Sequence, residues 1–257
     1  MKRVRFRDPA GSVRTGEWVD ADGTPADTAT AGDGGQIRFA GRTYDPAEVD
    51  VLAPCEPTKI VCIGRNYADH AAEMGNDVPD RPQLFLKPPS AVASHGSDVP
   101  LPAGKERVDY EAELGVVIGK QCRHVPESEA MDVVAGYTCV VDVSNRDDQE
   151  VEQNWVRGKA FDNAAPLGPV VATPDHVPED AGVELRQNGE TRQSSTREHL
   201  IFSVPELIAE ITTHLTLESG DVIATGTPEG VGPLSDGDEI VVEIKGVGRL
   251  RHTVSRE

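Results

Sequence analysis

The chain has 257 residues, of which 44 are Asp or Glu and 25 are Lys or Arg, for a formal net charge of −19. That length permits one large domain, or a core with a small appendage, and suffices for a substantial buried core. The charge argues against nucleic acid or an anionic membrane as partner, and no apolar run approaches a membrane span.

Residues 1–7 are basic but lead into no signal-type apolar stretch, so a cytoplasmic protein is expected. The basic residues are 7 Lys and 18 Arg. An acid-rich, Lys-poor, aromatic-poor composition suits a cytoplasm of high salt, where screening removes self-repulsion. An ordinary acidic enzyme is the other reading. Urea titrations at low and at molar KCl separate the two, equal stability counting against salt adaptation. Cys55, Cys62, Cys122 and Cys139 form no C-x-x-C pair and no zinc-ribbon spacing, which predicts reduced, mostly buried thiols.

In chain order, residues 1–53 predict a small β unit, with short strands at 4–6, 13–18, 37–39 and 43–44 between Asp, Gly and Pro turns. The polar, turn-rich segment 20–35 reads as a mobile loop. Pro54 and Pro57 mark a boundary, and 59–64 opens the main domain, 54–257, as a strand. A short helix is expected over 67–74 and another over 127–134, with Ser128 near its start. The strongest helix runs from 204 to 215, with Ser203 as N-cap, Pro205 at the first helical position, and Leu207, Ile208, Ile211 and Leu215 on one stripe. Residues 239–250 suggest a hairpin turning at Lys245 and Gly246. The pattern is α/β and β-rich, without the strand–helix alternation of a Rossmann fold or a TIM barrel.

Residues 108–119 read as a strand, so Glu111 and Glu113 point to the same face. Neighbouring carboxylates repel unless something positive lies between them, and a divalent metal such as Mg²⁺ meets that need with oxygen ligands. A solvent-facing strand edge is the bland alternative. Asp142 sits near the end of a mostly apolar strand expected over 137–143, where an unpaired carboxylate is costly. It joins the two glutamates as a third ligand, caps the turn at 144–148, or pairs with Arg146. His70 and Glu73 stand three apart on a helical turn, as a water-activating base and its orienting acid or as a surface pair. Lys87 and Lys159 are candidates to neutralise a substrate carboxylate or an oxyanion, or are exposed loop lysines. The glycine-rich turn 225–232 offers backbone N–H groups and the Thr227 hydroxyl to a carboxylate, or is only a tight turn. Neither G-x-S-x-G nor H-E-x-x-H occurs, so serine hydrolases and zinc proteases have no support.

Together these segments resemble the fumarylacetoacetate hydrolase family. The matching pieces run in order: Gly64, Arg65, Asn66 and Tyr67 with His70 and Glu73; 85–88; 109–114; 142–144 with Arg146; Lys159 with 161–162; 168–169; 188–190; and 225–232. The resemblance covers residues 60–250. It implies a mixed β-roll with a small N-terminal β domain, and a homodimer. Glu111, Glu113 and Asp142 match Mg²⁺ or Mn²⁺ ligands. His70 and Glu73 match a catalytic dyad carried on a lid, Lys159 an oxyanion- or enolate-stabilising lysine, and Arg146, Gln149, Gly226 and Thr227 substrate-contacting positions. Val141 before Asp142, and Gln187 before Asn188, depart from the family's pattern.

The implied activity is metal-dependent cleavage of a C–C bond in an acylpyruvate or related 1,3-diketo acid, through a metal-stabilised enolate. The alternative, for a small 2-oxo acid substrate, is a decarboxylase or isomerase of aromatic-acid catabolism. Oxaloacetate and 2-hydroxyhepta-2,4-diene-1,7-dioate are examples of its substrates. A non-catalytic metal- or acid-binding protein is the reading outside the enzyme class.

Overall fold

The computed structural model describes residues 1–20, 35–73, 75 and 77–256. The segment 21–34, most of the expected mobile loop, and Met74, the expected helix end, lie outside the described residues. None of the helices there is long and apolar enough to cross a membrane. All four cysteines are free; Cys55, Cys62 and Cys139 are buried and Cys122 is partly so.

The four N-terminal strands are present as Lys2–Arg7, Val13–Val19, Gln36–Phe39 and Arg42–Tyr44. Alternation explains the first: Lys2, Val4 and Phe6 turn inward while Arg3 and Arg5 stay partly exposed. These strands do not stand apart. Lys2–Arg7 pairs antiparallel with Ala165–Ala172, and the sheet continues through Val134–Val141, Ala112–Ile118, Val222–Ala224, Ile60–Gly64 and Gln83–Lys87. A five-stranded sheet, ordered Glu190–Thr196, Gly182–Gln187, Glu239–Ile244, Gly248–Arg256 and Asp98–Leu101, packs against its centre. Strands facing a second sheet are buried on both faces: every residue of Ala112–Ile118 and Ala165–Ala172 is buried, with Glu113 the one charged side chain among them. The closing hairpin turns at Lys245 and Gly246, as the sequence suggests.

The helix Val204–His214 begins as expected, with a capping box between Ser203 and Glu206. The element at Glu127–Val133 is a 3₁₀-helix and not the expected α-helix; Ser128 lies near its start, as expected, and Pro126 precedes it with no side-chain cap. The expected strand 108–119 is also corrected. Val108–Tyr110 belongs to a three-stranded sheet with Ser144–Asn145 and Gly232–Pro233, whereas Ala112–Ile118 belongs to the large sheet. Glu111 is the break between them, where the chain changes sheets. Both glutamates nevertheless reach one cavity, because that change happens at its wall.

Candidate active site

Strand ends, three short helices and the glycine-rich turn meet around a cavity of about 100 Å³. Its wall includes His70, Glu111, Glu113, Asp142, Arg146, Gln149, Lys159 and Thr227. Carboxylate oxygens of Glu111, Glu113 and Asp142 lie within 4.8 Å of one another, and all three residues are buried. Strand pairing brings them together. Ala112 stands opposite Val141, and the Asp142 N–H donates to the Glu111 carbonyl at 2.9 Å.

The charge around the triad is uneven. Lys159 Nζ donates to Glu111 Oε2 and Asp142 Oδ2, both at 2.8 Å, and to Ser144 Oγ at 2.5 Å. Burial works against the lysine's charge, but Asp142 and Glu111 outweigh it and raise its pKa, so it stays protonated. Burial likewise acts to raise the Glu111 pKa, yet Lys159 and Arg146 hold this carboxyl well below the usual range. Glu113 has no such cation. The Gly226 N–H donates to its Oε2 at 2.8 Å, while burial and the charges of Asp142 and Glu111 push its pKa well above the ordinary value. A buried carboxylate beside two others is stable as an anion only if positive charge arrives. The all-oxygen donor set suits a hard divalent cation, so these residues fit one.

Arg146 and Lys87 take parts the sequence did not assign. Arg146 does not pair with Asp142; its guanidinium binds Asp109 at 2.8 Å, Glu111 at 2.6 Å and Gln149 Oε1 at 2.8 Å. Lys87 is neither a loop lysine nor part of the cavity wall. It is 1% exposed, 2.7 Å from Asp142 Oδ1, and donates to the carbonyls of Lys159 and Ala164. It therefore anchors Asp142 from behind, and cannot reach a substrate.

His70 is 6% exposed on the helix Ala68–Glu73. Its Nδ1 lies 3.3 Å from Glu73 Oε2, which leaves Nε2 free of that carboxylate. Glu73 is held in turn by the Gly230 N–H at 3.1 Å. The glycine-rich turn thus spends two amides, Gly226 and Gly230, on the protein's own carboxylates, not on a substrate. Gly226 has φ +98°, and a Cβ there would stand 2.8 Å from Asn66 Cβ, so a side chain has no room.

Residues 59–255 match the family model described as fumarylacetoacetate (FAA) hydrolase C-terminal. The chain belongs to the fumarylacetoacetate hydrolase family. The oxaloacetate tautomerase YisK of Bacillus subtilis (strain 168) is 43% identical over 225 residues, 82% of this chain and 75% of that protein. The crystal structure of 5-carboxymethyl-2-hydroxymuconate delta-isomerase from Mycobacterium smegmatis is 37% identical, with TM-score 0.87 over 100% of this chain and 99% of that one. Fumarylpyruvate hydrolase from Pseudomonas aeruginosa, solved with Mn²⁺ and pyruvate, is 35% identical, with TM-score 0.74 over 81% and 92% of the two chains. The expected β-rich family fold is present.

In this family member Gln83 and Trp155 escaped the sequence reading, and Arg65 and Phe85 entered it only as parts of motifs; all four line the cavity. Phe85 and Trp155 meet edge to face at 5.4 Å, and Lys159 Nζ stands 5.2 Å from the Phe85 ring centre. An indole is conspicuous in a chain that is 4% aromatic, and that scarcity is the signal that was available. Asn66 was read only as part of a motif. It is fully buried, donates to the carbonyls of Thr225 and Phe202, and accepts the Phe202 N–H, so it ties the chain just before the helix Ala68–Glu73 to the glycine-rich turn.

Proposed function

We propose that this chain is a divalent-metal-dependent tautomerase or isomerase of a small 2-oxo or 2-hydroxydienoic dicarboxylate. The observation that carries the reading is Glu113: a buried carboxylate, short of a cation, on a cavity that also holds a histidine and a charged lysine. A divalent cation held by Glu111, Glu113 and Asp142 would supply Lewis-acid polarisation of a substrate oxygen. The chain's own groups do the rest. Tautomerisation needs a group that takes a proton from carbon and returns one elsewhere. His70, aligned by Glu73 and with Nε2 available, suits that exchange. Lys159, held in its ammonium form, adds positive charge where an enolate oxygen develops. Arg146, Gln149 and Thr227 offer polar groups to the substrate's carboxylates.

The residues alone favour C–C hydrolysis, because the His70–Glu73 pair is intact. The tautomerase and isomerase among the relatives support the alternative better. Hydrolysis of an acylpyruvate remains the second reading, favoured by that pair and by the likeness to fumarylpyruvate hydrolase. A homodimeric, cytoplasmic enzyme that uses Mg²⁺ or Mn²⁺ belongs to the same proposal.

The test incubates purified protein with Mg²⁺ or Mn²⁺ in molar KCl and follows three substrates side by side. Accelerated, EDTA-sensitive keto–enol exchange of oxaloacetate, or isomerisation of the heptadienedioate, supports the proposal. Pyruvate and acetate released from acetylpyruvate, with no exchange of the other two, moves the activity to hydrolysis.

A further inference from the structure

The strand Glu190–Thr196 lies at the rim of the five-stranded sheet and is exposed or half-exposed along its length except at Gln193, which is 1% exposed. That side chain crosses to the active site. Its Oε1 accepts the Ala112 N–H at 2.9 Å, between the two glutamates of the triad. Its Nε2 donates to Thr227 Oγ1 and to the Pro228 carbonyl, both at 2.8 Å. Close approach of the turn makes this possible: at Gly230, with φ +93°, a Cβ would stand 2.2 Å from the Arg192 carbonyl oxygen.

These partners remove the usual ambiguity of an amide's orientation. The Ala112 N–H can only donate, so it must meet the oxygen. The Pro228 carbonyl can only accept, so it must meet the nitrogen. The same NH₂ then donates to Thr227 Oγ1. A hydroxyl has one proton and two lone pairs. With a lone pair committed to Gln193, the Thr227 proton is left to donate elsewhere, and Thr227 lines the cavity.

We infer that Gln193 is a positioning residue that fixes Thr227 as a hydrogen-bond donor to a substrate oxygen, so that this wall selects a carboxylate or oxo group. The inference rests on the reading of the cavity as a site for small 2-oxo acids. Two backbone groups set the amide, the amide sets the hydroxyl, and the hydroxyl reads the ligand. Gln193→Glu keeps the acceptor for Ala112 but offers Thr227 an acceptor in place of a donor. The hydroxyl then turns its proton to residue 193 and presents only lone pairs to the ligand.

The probe is pyruvate, titrated calorimetrically into Mn²⁺-loaded protein, with Mn²⁺ affinity measured separately. Q193E and T227V should each weaken pyruvate about tenfold or more, as expected when a hydrogen bond to a charged group is lost. The Q193E/T227V double variant should be no weaker than the worse single variant, because both act through one hydroxyl. Additive losses, or a Q193E chain that binds pyruvate like the wild type, would overturn the assignment. If Q193E fails to fold, Q193M carries the same test, since it lacks the donor without adding charge. Failure of the wild type to bind pyruvate at all would instead strike the reading of the cavity itself.

Discussion

Asp221 is fully buried at the start of the strand Val222–Ala224, and Glu113 is 1% exposed on the adjoining strand Ala112–Ile118. Asp221 accepts the N–H groups of Thr58 at 2.8 Å, Lys59 at 3.1 Å and Glu218 at 2.8 Å, and it pairs with the Lys59 ammonium. Burial raises its pKa, yet these donors outweigh burial and the net shift is downward. Glu113 receives the single Gly226 N–H, faces two carboxylates, and shifts the other way. Near-zero exposure, which the two share, therefore says little about a carboxylate's purpose. The number and sign of its neighbours decide whether it holds the fold together or waits for a cation.

The sharpest separation comes from removing each carboxylate. Glu113→Ala should lower metal-dependent turnover about 10³-fold or more, because several kcal/mol of Lewis-acid stabilisation depend on the intact triad. Differential scanning calorimetry should show Mn²⁺ raising the wild-type melting temperature but not that of E113A, whose metal-free form should be no less stable than the wild type. His70→Ala should cost about 10²–10⁴-fold in rate and leave Mn²⁺ binding intact. Loss of Mn²⁺ binding in H70A would show that the histidine serves the triad and not the proton transfer. Asp221→Ala should do the reverse of E113A. It strands Lys59 and three backbone donors, so urea denaturation should report a loss of about 3–5 kcal/mol, while the protein that remains folded still binds Mn²⁺. A stable D221A, or an unstable metal-free E113A, would break the comparison.

What could be seen in the sequence follows the reach of the interactions. The two-residue spacing marks Glu111 and Glu113, although they share a wall because the chain changes sheets at Glu111, and Asp142 stands out as an acid at the end of an apolar strand; both signals are local. The short N-terminal strands were equally visible from alternation and turns. Their joining to the main sheet was not, because Lys2 meets Ala172 across 170 residues with no local mark of the partnership. Lys87 shows the same limit. Its sequence neighbours allow an exposed loop, and only the fold places Asp142 and the carbonyls of Lys159 and Ala164 around it. Gln193 is the extreme case, a neutral side chain on a mostly exposed strand whose partners lie at Ala112, Thr227 and Pro228.

His252 extends the comparison from acids to bases at a smaller scale. It is 1% exposed on Gly248–Arg256, facing inward with Leu250 and Val254, and neither ring nitrogen has a hydrogen-bond partner. His70, by contrast, has Glu73 beside it. Burial, with a smaller contribution from His95, lowers the His252 pKa to about 3. The folded state therefore excludes a proton that the unfolded chain accepts below its ordinary value of about 6.5. The group's contribution to stability is intact above that value and is lost progressively as pH falls toward the folded pKa. By pH 5 the loss amounts to about 2 kcal/mol. His252→Leu removes both the titration and an unsatisfied ring N–H, so it should stabilise the protein by about 1 kcal/mol at neutral pH. Its advantage over the wild type should then widen by about 1.5 kcal/mol between pH 6.5 and pH 5. Urea midpoints at the two pH values measure this directly. A constant difference would mean that His252 finds a proton-accepting partner in the folded state, and that its burial, like that of Asp221, is satisfied.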